Sequence, residues 1–510
     1  MAAGLAPHPI KHASMLCSTT GISLAPRMGA HRLGCWFAGA SALVALGCVA
    51  PPSPAPRVVP CDADVPVHAQ CYRLSVPENH ARPGDKRIDL AIVVMPARQR
   101  VDGADPVLVL LGGPGDAASR RYAANARGHE TANAARDVVF VDQRGTGRST
   151  PLSCALDDAL QSYMDVFLPS DAGRRCAAAM GDSTDVTRYR TADFVADLEL
   201  VGEALGVARW NLHGTSYGTR VALQYAARHP DRVRSAVLVG VVPPQLVMPE
   251  PFGEDADRAL AMLIAECGRD AQCASAFPSL AAELDSLEAR LARESAPVVV
   301  THPVTGRGER VLYSRGALGE TVRAAMYSPL GAAALPLEIH EAYRGDYGAL
   351  ATSHLRRQWT IASEGWAGLY LAATCPEDIA RLDAARAIAR NEGTILSASR
   401  VRQHVTACQG WPARDGSDTW PEKSTVAAPV LMIVGERDPV TPPRWAEMAR
   451  EHAANSALVV VPYGGHGFAG LRGLDCITRI KLSFYDNPEP AGVDTGCLTD
   501  IVRPPFIVRR

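Results

Sequence analysis

Lysine is nearly absent from this chain of 510 residues. It occurs only at Lys11, Lys86, Lys423 and Lys481, so 48 of the 52 basic residues are arginines. None of the four lysines ends a Gly-x-x-x-x-Gly-Lys-Ser/Thr loop, which excludes a P-loop nucleotide-binding site. We attribute the excess of arginine to coding bias, without functional meaning.

Other features that the sequence lacks narrow the range of functions further. The 52 basic and 54 acidic residues leave a formal net charge of only −2, so no nucleic-acid or membrane-surface partner is expected. Cys-x-x-Cys pairs do not occur, which argues against zinc and thioredoxin-like sites. Hydrophobic residues make up 47% of the chain, enough for a globular protein of two or three structural units.

The first 50 residues have the pattern of an export signal. The 18 residues from Leu33 to Ala50 are uncharged and follow Arg32, as in the apolar region of a signal peptide; an uncleaved membrane anchor is the alternative. Residues 44–48 resemble a bacterial lipobox, which predicts a lipid anchor at Cys48. Met28 is a better start than Met1, because it leaves a short basic segment before the apolar run. We expect an exported protein, in the periplasm or cell envelope, or secreted.

Cysteine usage agrees with export, because an even number of cysteines in an exported chain predicts disulfides. Sequence alone does not fix their connectivity, and the most local solution pairs each cysteine with the next. The ten cysteines that follow the signal region are Cys61, Cys71, Cys154, Cys176, Cys267, Cys273, Cys375, Cys408, Cys476 and Cys497.

Short apolar runs separated by helical patterns predict an α/β fold with a mainly parallel sheet. A Pro-rich linker at 51–60 precedes them, and residues 191–205 carry one apolar stripe with Thr191 as the predicted N-cap. Between 243 and 427 the sequence pattern is helical, rich in Ala, Leu, Glu and Arg, with few strand signals, which predicts an inserted cap domain. The domains are therefore 61–242 and 428–510 for the α/β core, with the cap between them. The predicted strands include 88–94, 107–111, 138–141, 236–239, 430–434 and 458–461.

The run Gly-Thr-Ser-Tyr-Gly at 214–218 lies between a strand pattern at 210–213 and a helical pattern at 219–228. This is the context of a nucleophile elbow, in which a sharp turn exposes the serine hydroxyl above the sheet. Glycine is needed on both sides, since side chains there would meet the neighbouring strand and helix. Ser216 is therefore the candidate nucleophile, although Gly-x-Ser-x-Gly also occurs in ordinary loops.

An elbow enzyme also needs an acid and a histidine in later post-strand loops. His466 follows the 458–461 strand, and Asp438 follows the 430–434 strand. Glu436 and Asp475 are weaker candidates for the acid, because one lies too close to its strand and the other lies beyond the histidine. Each residue alone could be an ordinary loop residue, but the order Ser, Asp, His in three such loops favours a catalytic triad.

A glycine-rich turn, Leu-Gly-Gly-Pro-Gly at 111–115, ends another predicted strand. Backbone N–H groups in such a turn can face a reacting carbonyl oxygen. The amides of Gly113 and Tyr217 are the candidate oxyanion hole. An ordinary tight turn is the alternative.

Together, the motifs at 112–115, 142–149 (Asp-Gln-Arg-Gly-Thr-Gly-Arg-Ser), 214–218 and 435–439 (Gly-Glu-Arg-Asp-Pro) resemble the prolyl and tripeptidyl aminopeptidase group of α/β-hydrolases. The likeness runs from about residue 65 to 497. Exported, disulfide-bearing members are the nearer match. They also have a cysteine in the cap before an acidic residue, as at Cys375, and a second cysteine near a Trp-Pro pair, as at Cys408. That likeness favours a Cys375–Cys408 pair. Leu111 replaces the usual histidine of prolyl aminopeptidases, which argues against strict proline specificity.

The resemblance implies a serine exopeptidase acting on short peptides with a free N-terminus, without a metal or organic cofactor. His466 would take the Ser216 proton, and Asp438 would hold the imidazole. Family members bind the substrate ammonium with cap carboxylates, and Glu377 is the candidate here, with a surface carboxylate as the alternative. The rival functions are an esterase or amidase with the same triad, and a catalytically silent binding lipoprotein. The oligomeric state and the residue preference are not indicated by the sequence.

Overall fold

The computed structural model of the chain describes residues 55–509, apart from 121, 155, 157–158, 166, 364–366 and 413–423. The signal region predicted at 1–50, the alternative start at Met28 and the lipid anchor predicted at Cys48 lie outside these residues. Within the described ranges, no helix is both long and apolar enough to cross a membrane.

One nine-stranded sheet carries the architecture, in the order β1-β2-β3-β5-β4-β6-β7-β10-β11. The first three junctions are antiparallel, and all five junctions from β5 to β11 are parallel. A separate antiparallel hairpin pairs β8 with β9. The strands are β1 Arg57–Val59, β2 Gln70–Pro77, β3 Arg87–Met95, β4 Val107–Leu110, β5 Val138–Val141, β6 Trp210–Thr215, β7 Val233–Val239, β8 Ala296–Thr301, β9 Gly308–Tyr313, β10 Val430–Gly435 and β11 Ser456–Val461.

The central strands are apolar because both of their faces are covered. Every residue of β4, β5 and β10 is buried, as expected for parallel strands with helices on both sides. The α/β class predicted from the sequence is confirmed. Because parallel strands end at the same edge of the sheet, the loops after β4, β6, β10 and β11 lie close to one another.

The described helices are α1 Tyr122–Arg127, α2 Ser162–Asp165, α3 Ala172–Met180, α4 Thr191–Leu205, α5 Tyr217–Arg228, α6 Phe252–Arg269, α7 Ala271–Ala276, α8 Leu280–Arg293, α9 Arg315–Ala325, α10 Pro329–Tyr343, α11 Gly348–Ser363, α12 Ala367–Glu377, α13 Ala384–Asn391, α14 Ser399–Ala407, α15 Pro443–Arg450 and α16 Asp475–Asp486. Helix α4 has the predicted bounds, and Gly206 ends it in a left-handed conformation with φ 67°. Thr191 is its first helical residue rather than the predicted N-cap, which is Arg190.

Helices α6 to α14 and the β8–β9 hairpin occupy the region that the sequence assigns to the cap. Much of it packs around an apolar cluster of its own, which includes Leu263, Leu287 and Ile339. Residues 369–372 of α12 pack instead with the core beneath the sheet. The 243–427 limits of the cap therefore stay a prediction. In the predicted linker, Arg57–Val59 forms the edge strand β1.

Five disulfides join each cysteine of the described chain to its neighbour in sequence. The most local pairing considered above is therefore the one observed, including Cys375–Cys408 in the cap region. The pairs are Cys61–Cys71, Cys154–Cys176, Cys267–Cys273, Cys375–Cys408 and Cys476–Cys497.

The run at 142–149 forms a buried turn with a structural role. The Asp142 carboxylate accepts hydrogen bonds from the backbone amides of Ser119 and Arg148. Arg144 is fully buried and makes two hydrogen bonds to Asp197, at 2.7 and 2.6 Å. These contacts fix the loop after β5 against α4. The motif at 142–149 therefore stabilises a loop, and these contacts involve no catalytic residue.

Candidate active site

Ser216 lies at the sharp turn between β6 and α5, as the sequence predicts for an elbow. Its backbone has φ 53° and ψ −126°, a region that non-glycine residues rarely adopt. A Cβ at Gly218 would come within 2.1 Å of the Leu110 carbonyl oxygen. One at Gly214 would come within 2.8 Å of the Gly218 oxygen. Glycine on both sides is therefore required to bring the strand and the helix this close together.

Asp438 and His466 meet beside this turn, although 28 residues separate them in sequence. Asp438 lies in the loop after β10 and His466 in the loop after β11, and the His466 Nδ1–Asp438 Oδ2 distance is 2.8 Å. The other oxygen, Oδ1, accepts from the amides of Val440 at 2.7 Å and Thr441 at 2.9 Å. The carboxylate is fully buried and its orientation is fixed from both sides.

Each member of this pair shifts the pKa of the other toward the ion pair. Burial alone would lower the pKa of His466, but the Asp438 charge and its hydrogen bond outweigh burial and raise it. Burial would likewise raise the pKa of Asp438, but His466 and Thr441 hold it below its usual value. The histidine is thus more basic than an ordinary one, which suits a general base that must hold a proton during the reaction.

The imidazole of His466 is held by packing as well as by Asp438. A Cβ at Gly240 would lie 3.0 Å from its Cε1 atom, so this position must stay small. The Tyr327 ring meets the imidazole edge to face, with 5.2 Å between ring centroids. Of the competing acids, Glu436 accepts a hydrogen bond from the Tyr463 amide, and Asp475 is the first residue of α16. Neither is paired with His466.

Gly113 and Tyr217, whose amides are predicted to form an oxyanion hole, line the same cavity as Ser216. Gly113 has φ 107°, and a Cβ on it would lie 2.6 Å from the Gly115 nitrogen. A Cβ on Gly112 would lie 3.0 Å from the Ser216 Cβ, so the glycine turn passes directly beside the serine. Tyr217 begins α5, where an amide has no acceptor within its own helix. The oxyanion hole at Gly113 and Tyr217 stays a prediction.

Ser216, His466, Gly113 and Tyr217 all line one cavity of about 880 Å³. Such a volume is at the upper end of ordinary small-molecule sites and could hold a peptide of a few residues. Its charged lining is uneven. Asp116 is the one carboxylate among its described lining residues, whereas five arginines contribute to it: Arg120, Arg323, Arg356, Arg357 and Arg400.

Glu377, the predicted ammonium anchor, does not line this cavity. Its two oxygens accept hydrogen bonds from the Thr191 amide at 2.7 Å and hydroxyl at 2.8 Å. Thr191 in turn contacts the Tyr217 hydroxyl at 2.7 Å, and Arg220 lies 3.8 Å from Glu377. The carboxylate therefore braces the start of α4 against the residue after the nucleophile, an arrangement that does not favour the predicted role.

The sequence did not reveal several residues of the site. Thr441 donates its hydroxyl to Asp438 Oδ2 at 2.8 Å. The Asp-Pro-Val-Thr run could have indicated it, since an Asp side chain often accepts from the amides two and three residues later. Tyr327 and four of the cavity arginines, all except Arg120, reach the site from helices and loops of the cap region. Nothing in the local sequence distinguishes them from surface or core residues.

Among the described residues, no group of three or more His, Cys, Asp or Glu side chains is arranged to hold a metal ion. Ser216, His466, Gly113 and Tyr217 line one cavity, with Asp438 hydrogen-bonded to His466 behind it, an arrangement compatible with a serine hydrolase.

Two family models match the chain. Residues 105–319 match the α/β hydrolase fold, and residues 394–497 match the TAP-like protein family. The serine protease Hip1 of Mycobacterium tuberculosis is 26% identical over 416 residues, which cover 74% of this chain and 78% of that protein.

Shorter matches join the chain to enzymes named proline iminopeptidase. The Neisseria gonorrhoeae protein is 35% identical over 136 residues, 27% of this chain. The chain matches only about a third, 32%, of that relative's length. Among solved structures, the proline iminopeptidase of Mycobacterium smegmatis is 18% identical with a TM-score of 0.41, covering 81% of this chain and 96% of that one.

Proposed function

The chain belongs to the α/β-hydrolase fold family and carries a TAP-like segment, and we propose that it is an exported serine exopeptidase. Its substrates are short peptides, from whose free N-terminus it removes residues. The observation that carries the proposal is the 2.8 Å pair of His466 and Asp438 on the same cavity as the elbow serine. The names of the relatives, serine protease and proline iminopeptidase, support a peptide as the substrate.

The geometry supports an acyl-enzyme mechanism. His466 donates its Nδ1 proton to Asp438, so Nε2 is free to take the proton from the Ser216 hydroxyl. The alkoxide attacks the scissile carbonyl, and the amides of Gly113 and Tyr217 stabilise the oxyanion. His466 then gives its proton to the leaving amine. A water molecule, activated by the same histidine, hydrolyses the acyl-enzyme and frees Ser216.

Substrate binding requires an anion for the ammonium group, since an unpaired cation is costly to bury. Glu377 does not line the cavity, so we assign this role instead to Asp116, the carboxylate among the described lining residues. The position is suitable because Asp116 Oδ2 would lie 3.5 Å from a Cβ at Gly112, in the turn beside Ser216.

Export is supported by the five disulfides of the described chain, since such bonds persist in oxidising compartments. The predicted signal region and the lipid anchor at Cys48 belong to the same proposal. Mass spectrometry of the protein from its native host would detect a diacylglyceryl group on Cys48. An unmodified mature N-terminus would refute the anchor and leave the catalytic proposal intact.

The experiment that tests the function compares Ala- and Pro-aminoacyl substrates with free and with N-acetylated N-termini. Loss of a desolvated charge pair costs about 2–5 kcal/mol, so acetylation should lower kcat/KM by roughly 30-fold or more. Asp116→Asn should reduce the difference in kcat/KM between free and acetylated substrates, because it slows hydrolysis of the free substrate. Glu377→Gln is the matched variant, since Glu377 does not line the cavity. If Glu377→Gln narrows the gap and Asp116→Asn does not, the anchor is Glu377 after all.

An esterase or amidase is the second candidate, and the excess of arginine over carboxylate in the cavity lining favours it. Equal rates on free and acetylated substrates, or hydrolysis of simple esters alone, would establish it. A silent binding protein would fail to react with a fluorophosphonate probe, whereas either enzyme would be labelled at Ser216.

A further inference from the structure

Three arginines from the cap region gather at one wall of the cavity. Arg323 lies on α9, Arg357 on α11 and Arg400 on α14, and all three line the cavity. Two of them lie over one aromatic ring: Arg357 is 4.5 Å and Arg323 is 5.5 Å from the centroid of Tyr327. Planar guanidinium groups stack on such rings and keep their N–H groups free for an oxygen ligand.

The cluster has more positive charge than nearby negative charge. Within the described ranges, Glu320 is the one carboxylate in ion-pair contact, 3.1 Å from Arg400 and 4.0 Å from Arg323. The side chains of Arg323 and Arg400 are only 2% and 7% exposed. Their Nε atoms are buried with no acceptor in the described part of the chain. Two buried arginines that share one carboxylate retain an excess positive charge, which an entering anion would balance.

The position of the cluster ties it to the reaction. Tyr327, on which Arg323 and Arg357 stack, is also the ring that contacts His466, so a single ring separates the arginines from the catalytic base. The positive field there is strong enough to affect a neighbour. Burial alone would raise the pKa of Tyr327, yet Arg323, Arg357 and the other nearby cations lower it to about 8.

We propose that Arg323, Arg357 and Arg400 form an anion subsite. It binds a carboxylate of the substrate while Ser216 attacks the scissile carbonyl of the same peptide. This inference rests on the proposed function and names its substrate class, which is short peptides with a carboxylate near the scissile bond. The carboxylate belongs either to the peptide's C-terminus or to an acidic side chain. Arg357 is the residue to change, since it is only partly buried and forms no ion pair with a carboxylate among the described residues.

The test measures binding without turnover, in Ser216→Ala protein by titration calorimetry. Ala-Ala-Ala is compared with Ala-Ala-Ala amide, and Ala-Glu-Ala amide with Ala-Gln-Ala amide. The first pair isolates the terminal carboxylate and the second the side-chain carboxylate. A charge-assisted contact predicts that one carboxylate form binds about 10- to 100-fold more tightly than its neutral partner. Adding Arg357→Gln should abolish that preference.

Arg344→Gln is the matched control, because Arg344 is exposed at the end of α10 and does not line the cavity. It should leave the preference unchanged, and thermal melting should show both variants folded. Equal affinities within both pairs, or a preference that survives Arg357→Gln, would overturn the subsite.

Wild-type turnover of the same peptides tests the proposed function separately. If all four peptides are hydrolysed at equal rates without a carboxylate preference in binding, the exopeptidase stands and the subsite falls. If the carboxylate preference is found but no peptide is cut, the subsite stands and the exopeptidase falls.

Discussion

Thr441 donates its hydroxyl proton to Oδ2 of Asp438, 2.8 Å away, on the same oxygen that accepts from His466. We expect Thr441→Val, which keeps the shape and removes the donor, to lower kcat about tenfold while KM changes little. Thr441→Ser should restore most of the rate, since it keeps the hydroxyl. A merely structural role would lower stability without changing the pH profile of kcat, and thermal melting beside that profile separates the two.

In the proposed mechanism Ser216, His466 and Asp438 act as a unit, so each substitution should be severe. Ser216→Ala and His466→Ala should lower kcat by ~10⁴-fold or more, and Asp438→Asn nearly as much through loss of the correct imidazole tautomer. Circular dichroism should show an intact fold in each case. Peptidase activity of Ser216→Ala at the wild-type level would contradict the mechanism.

The elevated pKa of His466 determines the acid limb of the pH profile. Only the neutral imidazole can take the serine proton, so activity must fall as the pH drops through that pKa. Because Asp438 raises the pKa, the midpoint of kcat/KM should lie above 6.5, the usual value for a histidine. Asp438→Asn should move the midpoint of its residual activity down. A midpoint below 6.5 in the wild type would show that another group controls the limb.

Tyr327 should make carboxylate binding sensitive to alkaline pH. Its pKa of about 8 reflects Arg323, Arg357, His466 and Arg400, which outweigh the opposing effect of burial. As the pH rises through this value, the phenolate offsets one arginine charge, so KM for carboxylate peptides should rise while KM for their amides does not. Tyr327→Phe should remove the difference. The same rise for acids and amides would point to a general effect on the fold.

The Cys375–Cys408 disulfide should contribute to stability because it joins α12 to the end of α14. Replacing both cysteines by serine should lower the free energy of unfolding by about 2–4 kcal/mol, measured by urea denaturation. The matched control is the Cys61–Cys71 pair, which tethers only the edge of the sheet and should matter less. Equal losses of unfolding free energy in the two variants would contradict the larger contribution expected of Cys375–Cys408.

The sequence predicted the parts of this molecule whose causes are local. The strand at 138–141 has its predicted bounds, because the apolar run Val-Val-Phe-Val lies between Asp137 and Asp142 and is buried throughout. The elbow at Ser216 was predictable because flanking glycines and strand-to-helix context occur together in the chain. The end of helix α4 at Gly206 was also predictable from the local sequence, since glycine readily adopts the left-handed conformation that ends a helix.

What the sequence missed depends on contacts between distant segments. The sequence did not show that the Glu377 oxygens accept hydrogen bonds from Thr191, which lies 186 residues away, and its role as an ammonium anchor is still to be tested. The arginine excess was attributed to coding bias, yet Arg323, Arg357 and Arg400 meet at one cavity wall from three different helices. No local pattern distinguishes such residues from solvated ones, because only the tertiary fold brings them together.

The backbone of Ser216 has a consequence for how this position can change over generations. At φ 53° and ψ −126° a glycine would fit freely, whereas a serine is held there at a cost of order 1–3 kcal/mol. Selection for folding and selection for hydrolysis therefore favour different residues at one site. A descendant that no longer needed the reaction would gain stability by drifting to glycine at 216. A glycine at this turn in a related sequence should accordingly mark a protein that has kept the cavity and given up the chemistry.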